Sequence, residues 1–213
     1  MAKSEDIHMK TRVYDEILGR ILSRKIQPGE KIPEIEIAAD MHVSRTPVRE
    51  AVRRLAWEGL VTTEPNKAST VRILDEAVIH DLAVVRWQNE KLNIPLAVYN
   101  GSNKDFDELR EFAEQCLAYN KAGDMNMRHR YDSKFHLKLF EIGGNQILLE
   151  IQQRLELIIQ LWQVHHITEP EMHLDGLEQH YEIINYLEKR DTDMVLELMY
   201  QHCAQSYGVA FSK

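Results

Sequence analysis

Two groups of residues in this chain could do chemistry by type and spacing. The first is Arg45, Arg49 and Arg53, which recur every four residues within SRTPVREAVRRLAWEGLV (residues 44–61). In a helix the three guanidiniums line one side, while Val48, Val52 and Leu55 form a buried stripe on another. Such a row offers forked donors to phosphates and to guanine edges, so the face is suited to DNA. The second group is Asp132, His136, His180 and His202. Asp132 and His136 lie four apart in YDSKFH and project from one helix face. His180 and His202 are each 11 residues from Asp191, where a turn between two helices is expected. An antiparallel pair leaving that turn carries both imidazoles at one height, roughly 16 Å from it at a rise of 1.5 Å per residue. With the helix of Asp132 and His136 alongside, four ligands of N3O type can meet at a divalent cation. Equally, core histidines with ordinary hydrogen bonds account for this spacing, because 10 histidines in one chain allow a symmetric pair by chance.

The arginine row needs a helix with a defined start. Ser44 and Thr46 are both N-cap types and Pro47 suits the first helical position, which puts the start at about Thr46. Upstream, Ile35, Ile37, Ala38 and Met41 mark a second short amphipathic helix, and only His42 and Val43 separate it from Ser44. Two short helices so tightly joined make a helix-turn-helix, whose second helix enters the major groove. Glycine is usual at position 42 of such a turn, because the chain needs positive φ there; histidine tolerates that region better than most residues. Gly59 stops the helix, and LVTTEPNKASTVRI (60–73) gives two β-branched runs around Glu64-Pro65-Asn66-Lys67. That pattern is a hairpin, and the motif is winged.

From Asp75 onward the strand signals disappear, and helical periodicity predicts six helices at about 75–99, 104–121, 125–143, 145–166, 171–189 and 192–208. In the fourth, Ile147, Leu148, Ile151, Leu155, Ile158, Ile159 and Trp162 form one wide apolar stripe, of the kind that packs into an antiparallel bundle. The fold class expected is therefore mainly α: a winged helix-turn-helix with three helices and a β-hairpin over residues 1–74, then an all-α bundle over 75–213.

Charge divides at the same place. Residues 1–74 hold 13 Lys and Arg against 11 Asp and Glu, a net +2, and residues 75–213 hold 13 against 23, a net −10, which together give the chain's −8. Only the first part can meet phosphate, and its small excess means that binding depends on individually placed arginines and on two copies of the domain. The two cysteines, Cys116 and Cys203, lack metal or redox spacing and read as buried thiols. No segment is apolar for long enough to span a bilayer, and a cytoplasmic location is expected. No HExxH helix, nucleophile elbow or Gly-rich phosphate loop is present.

The run from Tyr14 to Ile73, with IQPGEKI, Glu34 and VSRTPVREAVRRLAWEGLV, resembles the winged-helix domain of GntR-type bacterial transcription regulators, and within them the FadR subgroup. The resemblance implies that Arg45 and Arg49 contact bases or phosphates, that Ser44 and Thr46 contact phosphates, and that the wing tip, where Lys67 lies, reaches the minor groove. Arg53 continues the same face. Arg24 and Ala68 stand where the pattern usually has glycine.

The second half is similar to the all-helical effector domain of that subgroup, the FCD domain, in its shorter six-helix form. Many members carry an Asp-x3-His pair and two later histidines about 22 residues apart, which this chain matches at Asp132, His136, His180 and His202. The resemblance implies a divalent metal, zinc before nickel or manganese, and a small carboxylate effector. Arg86, with Glu90 four residues on, is then a candidate to hold the carboxylate and Asn145 a further effector contact. Arg86 could as well pair with Glu90, and Asn145 could as well cap the next helix. The function expected is a ligand-responsive transcription regulator, a repressor that binds a pseudo-palindromic double-stranded operator as a homodimer, with no membrane partner. It is not expected to be an enzyme; the alternative is a metal-dependent, hydrolase-like helical domain fused to a DNA-binding module.

Overall fold

Val13, Ile17 and Ile21 recur every four residues on α1 (Ala2–Leu22), and all three are fully buried. They close a core with Ile37 of α2 (Glu34–Asp40) and with Val48, Val52 and Leu55 of α3 (Arg45–Trp57). This core belongs to the first of two units in the computed structural model, Met1–Leu74 and Asp75–Lys213. Residues 2–172 and 174–209 are described.

Helix α3 begins at Arg45, one residue earlier than expected, with Ser44 at the N-cap position in extended backbone. Pro47 is therefore its third residue, a place where a missing N–H still costs nothing because the first turn has no intrahelical acceptors. Ile35 does not join the core, being 66% exposed, so the buried face of α2 rests on Ile37 and Ala38. His42 has φ of 55°, the left-handed conformation the turn requires. The reversal lets the Val43 N–H reach the Ala38 carbonyl at 3.0 Å, which satisfies an end carbonyl of α2 and aims α3 away from it. Arg24, also at a position where glycine is usual, has φ of 64°.

Helices α1 and α3 are also joined through a polar contact. Tyr14 Oη donates to Glu58 Oε2 at 2.6 Å, while Arg54 Nε donates to Glu58 Oε1 at 2.9 Å and its guanidinium lies 3.8 Å over the Tyr14 ring. Burial, and then the bond to Glu58, push the Tyr14 hydroxyl well above its ordinary pKa. The wing follows the Gly59 stop, where φ is 87°. Strands β1 (Val61–Thr62) and β2 (Thr70–Val71) pair antiparallel with Val61 opposite Val71. Lys31 bridges to Thr70, so the segment before α2 flanks the hairpin and fixes it beside α3.

The second unit contains, among the described residues, six helices: α4 (Glu76–Asn100), α5 (Asn103–Lys121), α6 (Met125–Gly143), α7 (Gln146–His166), α8 (Leu174–Glu188) and α9 (Thr192–Tyr207). Most of these starts carry a side-chain cap, while α8 begins at Leu174 rather than at about 171. Ser102 and Asp105 form a reciprocal capping box at α5, Asp124 caps α6, Asn145 caps α7 and Asp191 caps α9. Helix α4 packs on α6, α7 and α9, and α8 packs on α9.

The interior face of α7 differs from expectation. Ile147 and Ile151 are 66% and 45% exposed, whereas Gln152, Glu156 and Gln163 are buried with Ile159 and Trp162. The helix is rotated so that a polar row, not the widest apolar stripe, faces inward.

Candidate nucleic-acid interface and metal centre

The outer face of α3 carries Arg45, Arg49 and Arg53, all exposed. Together with Lys67 of the wing they line one concave groove of about 920 Å³. Ser44 and Thr46 stand exposed at its helical end, and the Ser44 hydroxyl makes no capping bond. The free N–H groups of that first turn and the hydroxyl are a donor set suited to an anion. Arg49 Nε lies 3.6 Å from Glu34 Oε2, an attraction too long to be a hydrogen bond. Lys67 is paired with Glu64 across the wing turn, so its charge is partly answered within the tip. Of the residues expected at the interface, Arg45, Arg49, Arg53 and Lys67 thus line one groove, brought there by the helix-turn-helix and the wing.

In the second unit the symmetric spacing about Asp191 has the expected consequence. The rings of His180 on α8 and His202 on α9 face each other with centroids 4.9 Å apart. His136 of α6 joins them: its Nε2 is 3.2 Å from His202 Nε2, and the three histidines offer ligand nitrogens all within 4.8 Å of one another. Asp132, one turn earlier on α6, lies at their edge with Oδ1 3.7 Å from His180 Nε2. Its Oδ2 accepts from Gln163 Nε2 at 2.6 Å. His180 is further oriented by Phe135, stacked on its ring at 4.1 Å.

These residues fit a divalent cation. Neither ring nitrogen of His180 has a hydrogen-bond partner, nor does Nδ1 of His202, although both residues are buried. Buried polar atoms in folded proteins are nearly always partnered, so unpartnered imidazole nitrogens gathered in one place suit a bound cation. Burial, reinforced by Arg86, pushes His136 down to about 3; burial takes His180 to about 3 as well, and His202 well below its ordinary value. All three are neutral near pH 7, the form that ligates metal. Burial works to raise Asp132, but the neighbouring His136 and His180, and then Arg128 and Arg86, hold its carboxyl below the usual carboxylate range. Two imidazole nitrogens each about 2.0–2.1 Å from one zinc ion are separated by about 3.3 Å in tetrahedral coordination, close to the His136–His202 spacing. Glu90 Oε1 lies 3.2 Å from His136 Nδ1, which leaves His136 Nε2 to face the cluster.

Arg86 is also buried here, its Nη1 donating to Tyr207 Oη at 2.8 Å. It does not pair with Glu90, which is turned to His136 instead, and its Nε and Nη2 have no partner. Asn145 takes its alternative role. It is exposed, and its Oδ1 accepts the Leu148 N–H at 3.2 Å, capping α7. Nine residues beyond His136, about 13 Å along a helix, it is not brought to the buried cluster. Cys116 and Cys203 are both free and buried.

Sequence reasoning passed over Glu90, except as a partner for Arg86, and missed Gln152, Glu156, Gln163 and Tyr207. The α7 residues did carry a signal, since positions 152, 156 and 163 fall on one helix face. Polar residues at that spacing were masked by the neighbouring isoleucines, which look more like a core.

Residues 9–71 match the family described as bacterial regulatory proteins, gntR family, and residues 81–205 match the FCD domain. The Nta operon transcriptional regulator of Aminobacter aminovorans is 30% identical over 193 residues, covering 87% of each chain. The HTH-type transcriptional repressor RspR of Escherichia coli K12 is 28% identical over 200 residues, covering 90% of this chain and 86% of its own. Among solved structures, E. coli McbR/YncC superposes with a TM-score of 0.81 at 21% identity over 94% of this chain and 95% of its own, a likeness of fold. Among the described residues no helix is long and apolar enough to cross a membrane. The two relatives are named for transcription regulation, and the chain belongs to the gntR family of bacterial regulatory proteins: a DNA-binding regulator rather than an enzyme, with an FCD domain as its second part.

Proposed function

We propose that this protein is a ligand-responsive repressor that binds a pseudo-palindromic operator as a homodimer and senses a small carboxylate at a metal-containing site in its FCD domain. The observation that carries the sensing part is the conjunction of three neutral, converging histidines with a fully buried arginine whose Nε and Nη2 are unpaired. Arg86 is permanently charged, and its two free nitrogens form a fork that matches a carboxylate. His136, His180 and His202 would hold the ion, with Asp132 completing the set. Zinc suits nitrogen-rich ligation of this kind and would supply a Lewis-acidic centre for a ligand oxygen.

On the DNA side, Arg49 is the main base reader, with Arg45 and Arg53 along the same groove, Ser44 and Thr46 on phosphate, and Lys67 at the wing tip. With a net charge of only +2 on residues 1–74, one domain has little non-specific attraction, which favours two copies on two half-sites. An effector can alter operator affinity only by binding the two arrangements of the dimer unequally.

The experiment is selection of duplexes from a randomised pool by the full-length, zinc-loaded protein, followed by anisotropy titrations of the selected site with and without a panel of short carboxylates. The expected result is an inverted repeat whose affinity falls with at least one carboxylate. A selected site with no dyad, or an affinity that no carboxylate changes, sinks the corresponding half of the proposal.

A further inference from the structure

Ile35 is 66% exposed, and its position gives that exposure a meaning. Single apolar side chains on a surface are ordinary, but this one lines the groove that Arg45, Arg49 and Lys67 share. The other branched aliphatic residues of the groove, Ile32 and Val52, are buried at 5% and 2%. Among the described residues, Ile35 is therefore what offers a branched hydrocarbon to a molecule filling that groove. Its neighbours say which part of a duplex it would meet. Glu34 and Glu36 flank it in the first turn of α2. Their carboxylates repel phosphates, so this turn is a poor seat for the DNA backbone, although helix starts in general suit anions. Glu34 Oε2 also lies 3.6 Å from Arg49 Nε, which keeps the start of α2 beside the proposed base reader. In the major groove the apolar feature of a base edge is the C5-methyl of thymine; the other groups there are hydrogen-bond donors and acceptors. Pressed against Ile35, those polar groups would lose water and gain no partner.

We infer that Ile35 is a specificity-determining residue that selects thymine, by packing its side chain on the C5-methyl of a base next to the pair read by Arg49. The inference rests on the DNA reading of the arginine face and adds an apolar contact to it. Packing takes the methyl and the isoleucine out of water together, while hydrogen bonds to the backbone hold the register. Ile35 lies outside the core, so replacing it tests recognition without disturbing the fold.

The test uses the full-length protein and the duplex it selects from a randomised pool. Each thymine of a half-site is replaced in turn by deoxyuridine, which removes the methyl and leaves every hydrogen-bonding group in place, and affinity is read by anisotropy. One replacement, beside the pair whose preference Arg49→Ala relaxes, is expected to weaken binding about four-fold, the worth of one buried methyl. In Ile35→Ala the ratio of the two affinities should shrink towards one and the selected sequence should lose its thymine there, while the preference governed by Arg49 stays. Ile35→Val, which keeps a branched side chain, should retain most of the ratio. If no half-site thymine is selected, or every deoxyuridine duplex binds as well as its parent, the methyl contact is overturned and the DNA reading stands. If the ratio is undiminished in Ile35→Ala, another residue packs on the methyl and the assignment to Ile35 is overturned. If Arg49→Ala leaves both affinity and preference unchanged, the arginine face is not the reader and this inference falls with it.

Discussion

His136 Nε2 and His202 Nε2 stand 3.2 Å apart inside the FCD domain, although 66 residues separate them along the chain. Burial keeps both imidazoles neutral, and Glu90 beside His136 Nδ1 favours the tautomer whose Nε2 lone pair points at its neighbour. Facing lone pairs repel unless a proton or a cation lies between them. This geometry makes the centre the first target for experiment.

Zinc-loaded protein should lose thermal stability when stripped by a chelator. A ligand at one hundred times its Kd stabilises a fold by about 2.7 kcal/mol, so the melting temperature should fall by several degrees and recover when zinc is restored. His202→Ala should abolish stoichiometric metal in elemental analysis. Glu90→Gln should retain the fold and weaken metal binding by about 10–100-fold, the usual effect of removing a carboxylate that orients a ligating histidine. Undiminished metal content in His202→Ala would remove that residue from the set.

Arg49→Ala should cost about 1–3 kcal/mol of binding to the selected operator and relax its sequence preference. Arg53→Ala, if it meets only phosphate, should weaken operator and random duplex alike and flatten the salt dependence by about one unit of slope. Anisotropy titrations at several salt concentrations separate the two. Equal losses on both duplexes for Arg49→Ala would reassign it to the backbone.

Tyr14→Phe should destabilise the DNA-binding domain by about 1–2 kcal/mol, since it leaves the buried Glu58 carboxylate with one donor fewer. Urea unfolding followed by circular dichroism measures this. A midpoint unchanged from the parent would mean that water replaces the phenol at no cost.

Asp105 gives the domain an acid dependence that can be removed. Its bonds to the Ser102 side chain and backbone, aided by Lys138, lower its pKa from the ordinary 3.8 to about 2. A carboxyl whose folded pKa is depressed adds stability above its unfolded pKa, and that increment disappears as pH falls from about 4 to about 2. Asp105→Asn should therefore be less stable than the parent at pH 7, by about 1 kcal/mol for the damaged cap, and the gap should narrow over that acid window. Melting curves from pH 7 to pH 2 supply the comparison, and a gap that is constant with pH would contradict it.

Much of this architecture was legible in local chemistry. The arginine row, the short turn at His42, the Gly59 stop and the hairpin around Asn66 are local, because caps, turns and periodicity are set by residues within about one helical turn. The same holds for the six helices of the second unit, whose breaks at Ser102, Asp124, Asn145 and Asp191 each carry an N-cap. Even the pairing of His180 with His202 could be derived, since two helices leaving one turn keep their register.

What the chain could not reveal by itself was which face of a helix turns inward when two faces compete. On α7 the isoleucines at 147 and 151 suggested one answer, and packing chose the face with Gln152, Glu156 and Gln163. Arg86 likewise had Glu90 within reach on its own helix, but the fold gave it Tyr207, 121 residues away, and gave Glu90 to His136. Sequence thus determined the elements, their order and the types of group each could present. Tertiary structure decided which groups share a buried space, because burial removes water from all of them at once and makes partners that are distant in sequence compete for the same few hydrogen bonds.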